Sequence, residues 1–181
     1  MLRFRKITRD DLEMIRQWRM LPEVTKYMYT DPMLTLDDQT KWFEKIKGDQ
    51  SRRDWIIQYD GEDVGLANIT NIDNFNKNCD WAYYLASVNI RGKGIGKAVE
   101  LNMHHYVFEE LGLHKLCCTV FSWNELVINI HKKYGSRIEG IRKEHIFKNG
   151  KFHDIVEMAI LKSDWGQEVK GKYEYQIGTF E

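Results

Sequence analysis

The chain of 181 residues divides into short segments by the period of its apolar positions. Alternating apolar and polar residues predict strands, and apolar residues that recur every three or four positions predict helices. We expect strands at residues 2–7, 55–59, 63–69, 79–88, 115–121, 137–147 and 151–161. We expect helices from Thr8 to Met20, from Thr35 through Ile46, from the segment 91–98 to Leu111, and from Asn124 to Lys133.

Short local signals mark where these segments begin and turn. Two pairs have the spacing of capping boxes at helix starts, and they are Thr8 with Asp11 and Thr35 with Asp38. The second helix is expected to present one apolar face, formed by Leu36, Phe43 and Ile46. Asp60-Gly61 and Asn149-Gly150 predict two-residue hairpin turns. Continuing the second hairpin outward from its turn places His145 opposite Asp154.

Composition narrows the class of protein. Lysine plus arginine and aspartate plus glutamate number 27 each, so broad nucleic-acid binding is not expected. No apolar run is long enough to span a membrane, and the first residues lack a signal-peptide core. Three cysteines without a framework spacing predict a reduced, cytoplasmic location. We expect one folded domain at residues 1–165 and a polar tail at 166–181, and the sequence allows a homo-oligomer.

A glycine-rich segment, Arg91 to Ala98, joins an expected strand to the following helix. The first N–H groups of a helix lack intrahelical partners and the helix dipole adds positive charge, so such a turn can bind an anion. The glycine spacing is neither that of the Rossmann fingerprint nor that of the Walker A loop. We expect phosphate contacts from Arg91, Gly92, Lys93, Gly94, Ile95, Gly96 and Lys97. The alternative is a solvated, basic start to a helix.

The spacing Arg91-x-x-Gly94-x-Gly96 resembles the R/Q-x-x-G-x-G/A signature of the GNAT acetyltransferases, whose loop holds the pyrophosphate of acetyl-CoA. The segment from Asn124 to Gly135 is similar to a later motif of that family. The expected element order, β-α-α-β-β-β-α-β-α-β-β, also matches the family layout. The resemblance implies an α/β (α+β) fold with a mixed, mainly antiparallel central sheet flanked by helices on both faces. It further implies acetyl-CoA as co-substrate and no metal.

The same resemblance implies roles for individual residues. In the family, a backbone N–H where the central strands separate binds the thioester carbonyl, and the corresponding place here is Leu85-Ala86. Asn124 matches an asparagine that binds the cofactor arm. His131 stands where many members have a tyrosine that acts as general acid, so it is our candidate acid; a helix-surface histidine is the alternative. Asp80 is our candidate acceptor of the amine proton through water, and a solvated strand-face acid is the alternative.

Further stretches, from Trp18-Arg19 to the segment 145–154, are similar to the N-acetyltransferases of pseudaminic acid biosynthesis. That likeness implies acetyl transfer to the 4-amino group of UDP-4-amino-4,6-dideoxy-N-acetyl-β-L-altrosamine, an amino sugar nucleotide. The expected acceptor-binding residues are Arg19, Lys26, Tyr27, Met28, Tyr29 and His145. The alternatives are a polyamine, an aminoglycoside or a protein N-terminus as acceptor, or a non-catalytic acyl-CoA-binding module. An acidic cleft would favour a cationic acceptor, and a basic, aromatic cleft would favour a nucleotide.

Overall fold

A computed structural model describes residues 1–87, 90 and 92–181 of the chain. Within those residues, eight strands form one sheet in the order β6-β7-β5-β4-β3-β2-β1-β8. The strands are β1 Leu2–Lys6, β2 Arg53–Tyr59, β3 Glu62–Asp73, β4 Asn78–Leu85, β5 Lys115–Phe121, β6 Arg137–Lys148, β7 Lys151–Leu161 and β8 Thr179–Phe180. The pairs β4–β5 and β1–β8 are parallel and the other neighbours are antiparallel. The expected mixed, mainly antiparallel sheet is confirmed.

Helices cover both faces of this sheet. They are α1 Leu12–Met20, α2 Pro22–Thr25, α3 Leu36–Lys47, α4 Ile95–His105, α5 Glu125–Lys133 and α6 Lys162–Asp164. A 3-10 turn precedes α1 at Arg9–Asp11, and π-helical segments follow α4 and α6 at Tyr106–Glu110 and Trp165–Val169. Within the described ranges, no helix is long and apolar enough to cross a bilayer.

The alternation of side chains along β2 shows how the two layers are separated. Trp55 and Ile57 belong to the main core with α4 and α5. Ile56, which lies between them, packs against Ile15 of α1 and Leu66 of β3 on the opposite face. Successive strand residues point to opposite faces, so β2 serves two cores and is buried on both sides.

Both expected capping boxes are present, at Thr8 with Asp11 and at Thr35 with Asp38. The expected apolar face of α3 is correct for Phe43 and Ile46, which are buried. Leu36 is 52% exposed, because the first residue of the helix lies beyond the edge of this small core.

Both hairpin turns are confirmed, and each has a left-handed residue followed by a left-handed glycine. The register beyond the second turn differs from the expectation. Lys148 pairs with Lys151 and Ile146 with His153, but a β-bulge then interrupts the ladder before Arg142. Glu144 has φ +47° in this bulge and donates its N–H to an Asp154 carboxylate oxygen at 2.8 Å. His145 therefore does not pair with Asp154.

Two further boundaries differ from the sequence expectations. The strand expected at 79–88 ends at Leu85, and residue 88 lies outside the described residues. The segment expected to be a polar tail, 166–181, packs as part of the domain. It contains buried Val169, and it adds β8 to the sheet, where Phe180 stacks on Phe4 with ring centroids 4.2 Å apart.

Candidate active site

A gap opens between the two parallel strands at the centre of the sheet. Among the described residues, β4 and β5 pair only where Asn78–Asp80 of β4 lies beside Lys115–Cys117 of β5. Both strands then continue, to Leu85 and to Phe121, without further pairing to each other in the described part of the chain. In the described residues, the backbone groups of β4 and β5 that face this gap do not pair with each other, so they can bind a ligand.

The edge of β4 that faces the gap carries the N–H of Leu85. Leu85 lies opposite Gly65 of β3, and the next residue, Ala86, donates its N–H to the Val64 carbonyl at 2.8 Å. Because N–H groups of an antiparallel strand alternate in direction, the Leu85 N–H points away from β3 and toward the gap. The N–H of Ala86 is already bonded within the sheet, which corrects the expectation that it could bind the thioester carbonyl.

The glycine-rich turn stands at the start of α4. Gly92 and Gly94 have φ of +80° and +75°, and Gly94 is the residue that precedes the helix. Glycine has no side chain with which to cap, so the N–H groups that begin α4 receive no side-chain cap. Lys93 is exposed beside them. An uncapped helix start beside an exposed lysine is suited to an anion, and Arg91 lies outside the described residues.

Two later residues of the turn pack tightly against their surroundings. Ile95 is buried in the main core and anchors the helix start. A Cβ placed on Gly96 would lie 3.2 Å from the Tyr83 hydroxyl, so this position holds α4 close to β4. A cavity of about 300 Å³ lies beside the turn, between Lys97 and the segment 174–176. The C-terminal segment, for which no local pattern predicts a position, therefore forms one wall of this cavity.

His131 lies where β4 and β5 separate. Its ring is 5.4 Å from the ring of Trp81, and Cys118 lies close enough to raise its pKa. Trp81 and Cys118 are the first residues of the two strands beyond their last pair, Asp80 with Cys117. His131 is thus a buried residue at the base of the gap, not a helix-surface histidine.

Burial and hydrogen bonding act in opposite directions on His131. Burial lowers its pKa, but the interactions with Cys118 and with Glu100 outweigh burial and raise the pKa to about 10. The Glu100 bond joins Oε1 to the His131 Nδ1 over 2.9 Å. The imidazole is therefore held in its protonated form near neutral pH, as a proton donor must be.

The other two predicted polar residues lie near the gap but in different roles. Asn124 is buried and precedes α5, and within the described residues its side chain does not cap that helix. Asp80 accepts a hydrogen bond from Asn71 Nδ2 at 2.7 Å. It points to the same face of β4 as Ala82 and Tyr84, which line the cleft described next.

A cleft of about 400 Å³ lies on the α1–α3 face of β3 and β4. Its lining combines aromatic and polar side chains, chiefly Trp42, Tyr83, Tyr84, Arg19, Asp38 and Asn68. Arg19 Nη1 and the Tyr84 hydroxyl are buried and have no hydrogen-bond partner among the described residues. Buried polar atoms are normally paired, so these two are suited to a bound acceptor.

Two of the six expected acceptor residues line this cleft, Arg19 and Met28. The other four lie outside its lining. Tyr29 donates its hydroxyl to Thr119 at 2.6 Å, and Tyr27 packs on Trp123 with ring centroids 5.8 Å apart. Lys26 lies over the Tyr27 ring, and exposed His145 is 3.5 Å from Arg142.

Several residues of this region were not singled out from the sequence. Tyr84 and Ala82 could have been found from the alternation of β4, since they share a face with Asp80. Trp42 follows from the apolar stripe of α3. Glu100 contacts His131, and Lys148 contacts the Met28 carbonyl, across 31 and 120 positions of the chain. No local sequence pattern indicates either contact.

Comparisons with known proteins agree with this geometry. The family model described as "Acetyltransferase (GNAT) domain" matches residues 1–137. The spermidine N(1)-acetyltransferase of Escherichia coli strain K12 is 28% identical over 170 residues, which cover 93% of this chain and 90% of that protein. Acetyltransferase PseH of Campylobacter jejuni is 24% identical over 72% of this chain and 79% of that protein.

A solved structure shares the fold closely. It is the spermidine N-acetyltransferase of Vibrio cholerae in complex with CoA and spermine, with a TM-score of 0.84. The match covers 91% of this chain and 97% of that one at 23% identity.

Proposed function

The chain belongs to the GNAT acetyltransferase family, and from that premise we propose that it transfers the acetyl group of acetyl-CoA to a primary amine of a small molecule. The observation that carries the proposal is the gap between β4 and β5. The glycine-rich turn, the N–H of Leu85 and buried His131 lie around it, and the cleft lies against β3 and β4. Acetyl transfer needs an anion site, an oxyanion donor, a proton donor and an acceptor cleft.

The residues divide the chemistry as follows. The turn from Gly92 to Gly96 holds the pyrophosphate of acetyl-CoA at the start of α4. The N–H of Leu85 donates to the carbonyl oxygen as negative charge develops, a contribution of roughly 3–4 kcal/mol for a preorganised donor. The neutral amine forms the C–N bond while the C–S bond breaks. His131 donates a proton to the leaving sulfur, and Asp80 receives the amine proton through water.

A polyamine is the acceptor class that the comparisons favour. The relative with 28% identity across nearly the whole chain is named as a spermidine acetyltransferase. The cleft contains one carboxylate suited to an ammonium group, that of Asp38. Hydrogen bonds from Thr35 lower the pKa of Asp38, so this carboxylate stays charged at neutral pH.

An amino sugar nucleotide is the second candidate, and the cleft supplies the observation that supports it. The unpartnered Nη1 of Arg19 suits a phosphate, and a guanidinium can bind two oxygens of such a group at once. Trp42 and Tyr84 offer flat apolar surface for a base or a sugar. A polyamine would bring further positive charge to Arg19, whereas a diphosphate would neutralise it.

An acetyl-CoA turnover assay across acceptors tests the proposal. The purified protein is given acetyl-CoA with spermidine, with the UDP-linked 4-amino sugar, with its free sugar, or with a peptide, and CoA release is followed. We expect turnover with at least one small-molecule amine. Acetyl-CoA binding without turnover on any amine would refute the enzymatic proposal and favour an acyl-CoA-binding module.

The variant Arg19→Met separates the two acceptor classes. Removing the guanidinium should lower kcat/KM at least tenfold for an anionic acceptor, and should leave it unchanged or raise it for spermidine. Arg9→Met is the matched control, because Arg9 is an exposed arginine paired with Glu44 away from the cleft. A parent protein that acetylates spermidine but not the UDP-sugar would exclude the nucleotide acceptor, and the reverse result would exclude the polyamine.

A further inference from the structure

Three ionisable side chains are buried together beneath the gap, on α4 and α5. Glu100 and His104 lie one turn apart on α4, and His131 lies on α5. Glu100 and His104 are fully buried and His131 is nearly so. Oε1 of Glu100 is 2.9 Å from Nδ1 of His131, and Oε2 of Glu100 has no hydrogen-bond partner in the described residues. The carboxylate thus has one direct partner there, and that partner is His131.

The negative charge of the Glu100 carboxylate needs a positive charge beside it, and one side chain of the cluster can supply that charge. A buried carboxylate is costly unless an opposite charge lies beside it. His104 does not supply that charge, because burial and the neighbouring charge of His131 lower its pKa to about 3. Cys118 of β5 also lies beside His131. Two further titratable groups near the pair, Tyr83 of β4 and Tyr134 after α5, are uncharged near neutral pH, because burial raises the pKa of each. His131 is therefore the cation that balances Glu100.

The two histidines also differ in how their ring nitrogens are placed. Both nitrogens of His104 are buried without a partner within the described ranges, and its ring packs between Trp81 and Phe108. Nδ1 of His131 is occupied by Glu100, and Nε2 is not among the buried unpartnered atoms. The Glu100 bond leaves Nε2 as the nitrogen that can face the gap.

We propose that Glu100 is a positioning residue, which holds His131 in its protonated form with Nε2–H directed to the sulfur that leaves in the acetyl transfer. The inference rests on the proposed function and names the source of its proton. As the C–S bond breaks, the proton on Nε2 passes to sulfur and His131 becomes neutral. The amine proton goes to water, and His131 regains a proton from solvent before the next cycle.

The variant Glu100→Gln tests the positioning role through the pH profile of kcat. In the parent, activity should persist into alkaline pH, because His131 loses its proton only above its raised pKa. Without the carboxylate, burial dominates, so the alkaline limb should move at least two pH units lower. The KM for acetyl-CoA should change less than threefold, because the substitution leaves the residues of the glycine-rich turn unchanged. His104→Gln is the matched control on the same helix and should leave the alkaline limb in place.

A titration of labelled histidine nitrogens by NMR gives a readout that needs no substrate. The His131 signals, assigned with His131→Gln, should show an imidazolium at pH 8 in the parent and a neutral ring in Glu100→Gln. A neutral His131 at pH 8 in the parent, or an unmoved alkaline limb in Glu100→Gln, would overturn the inference. If no amine is acetylated, the proposed function fails while this titration still decides the charge of the pair.

The stability of a double variant covers the case in which Glu100→Gln does not fold. Removing His131 alone leaves the buried carboxylate of Glu100 unpaired, whereas Glu100→Gln with His131→Gln removes both charges. The double variant should therefore melt at a higher temperature than His131→Gln alone. Equal or lower melting temperature of the double variant would show that the two side chains do not form a charged pair, and would also overturn the inference.

Discussion

Lys148 of β6 joins the β6–β7 hairpin to the loop between α2 and α3, residues 26–35. Part of this loop forms one wall of the acceptor cleft. Its Nζ donates to the carbonyls of Thr25 and Met28, each at 2.6 Å, and lies 2.8 Å from an Asp31 carboxylate oxygen. An ammonium has three donors, and all three are used here. The side chain is buried, and the loop that it holds carries Met28 into the cleft. The substitution Lys148→Met keeps the length of the side chain and removes all three bonds.

The magnitude follows from the burial of each partner. A hydrogen bond from a charged donor contributes about 1.5–3 kcal/mol, and the two carbonyl bonds are partly buried. The Asp31 carboxylate is 41% exposed, so its attraction to Lys148 is screened and adds about 0.5 kcal/mol or less. Methionine recovers part of this by apolar contact, so we expect a loss of about 3 kcal/mol. At about 2–4 °C per kcal/mol for a domain of this size, the melting temperature should fall by about 6–12 °C.

Calorimetry and steady-state kinetics check this reasoning together. Loosening the loop should raise the KM of the acceptor about tenfold, while the KM of acetyl-CoA stays the same because the glycine-rich turn is untouched. Lys151→Met is the matched control, since Lys151 pairs with Lys148 across the hairpin but is exposed. Lys148→Met with an unchanged melting temperature and an unchanged acceptor KM would refute the role assigned to these bonds.

Three further substitutions test other parts of the molecule. Gly94→Val places a branched side chain at φ +75°, so it should abolish the thermal shift caused by acetyl-CoA, whereas Gly61→Val, at φ +85° in a hairpin, should keep it. Burial raises the pKa of Asp11, but hydrogen bonds from an arginine and a threonine outweigh it and lower that pKa. The stability that Asp11 contributes is therefore fully present above about pH 4 and is lost as the pH falls through its lowered pKa, so the difference in urea unfolding between Asp11→Asn and the parent should be full at pH 7 and should shrink steadily below about pH 4. Gly65→Ala would push a Cβ into a carbonyl oxygen of β4 and should cost more than about 2 kcal/mol by urea unfolding, whereas Gly48→Ala, which meets open space, should stay within about 0.5 kcal/mol.

Features that depend on neighbouring residues were predictable from the sequence. The left-handed conformations of Gly61 and Gly150 follow from the hairpin dipeptides, and that of Gly94 agrees with a helix that begins without a side-chain cap. Thr8 and Thr35 mark helix starts because the carboxylate three residues later accepts a hydrogen bond from the backbone N–H of each threonine. Such signals need three or four residues, so they can be read without knowing the fold.

Features that depend on distant contacts were not predictable in the same way. The burial and charge of His131 come from Glu100, which is 31 positions away. The position of the acceptor loop depends on Lys148, which is 120 positions from Met28. The register at His145 was wrong because a carboxylate from the facing strand draws in one backbone N–H and inserts a bulge. The acceptor class was not predictable from local patterns either, because the cleft is assembled from several separate segments.

Strand β8 has a consequence for how the polypeptide reaches its folded state. It covers the outer edge of β1, and the contacts that fasten it include a pair between Arg3 and Glu181, 178 positions apart. A ribosome makes the β1 segment early and the β8 segment much later, so the nascent chain passes most of its synthesis with that edge unprotected. An open edge can template pairing with another chain. Delayed closure therefore makes slow synthesis under crowded conditions the circumstance in which we expect this edge to promote aggregation.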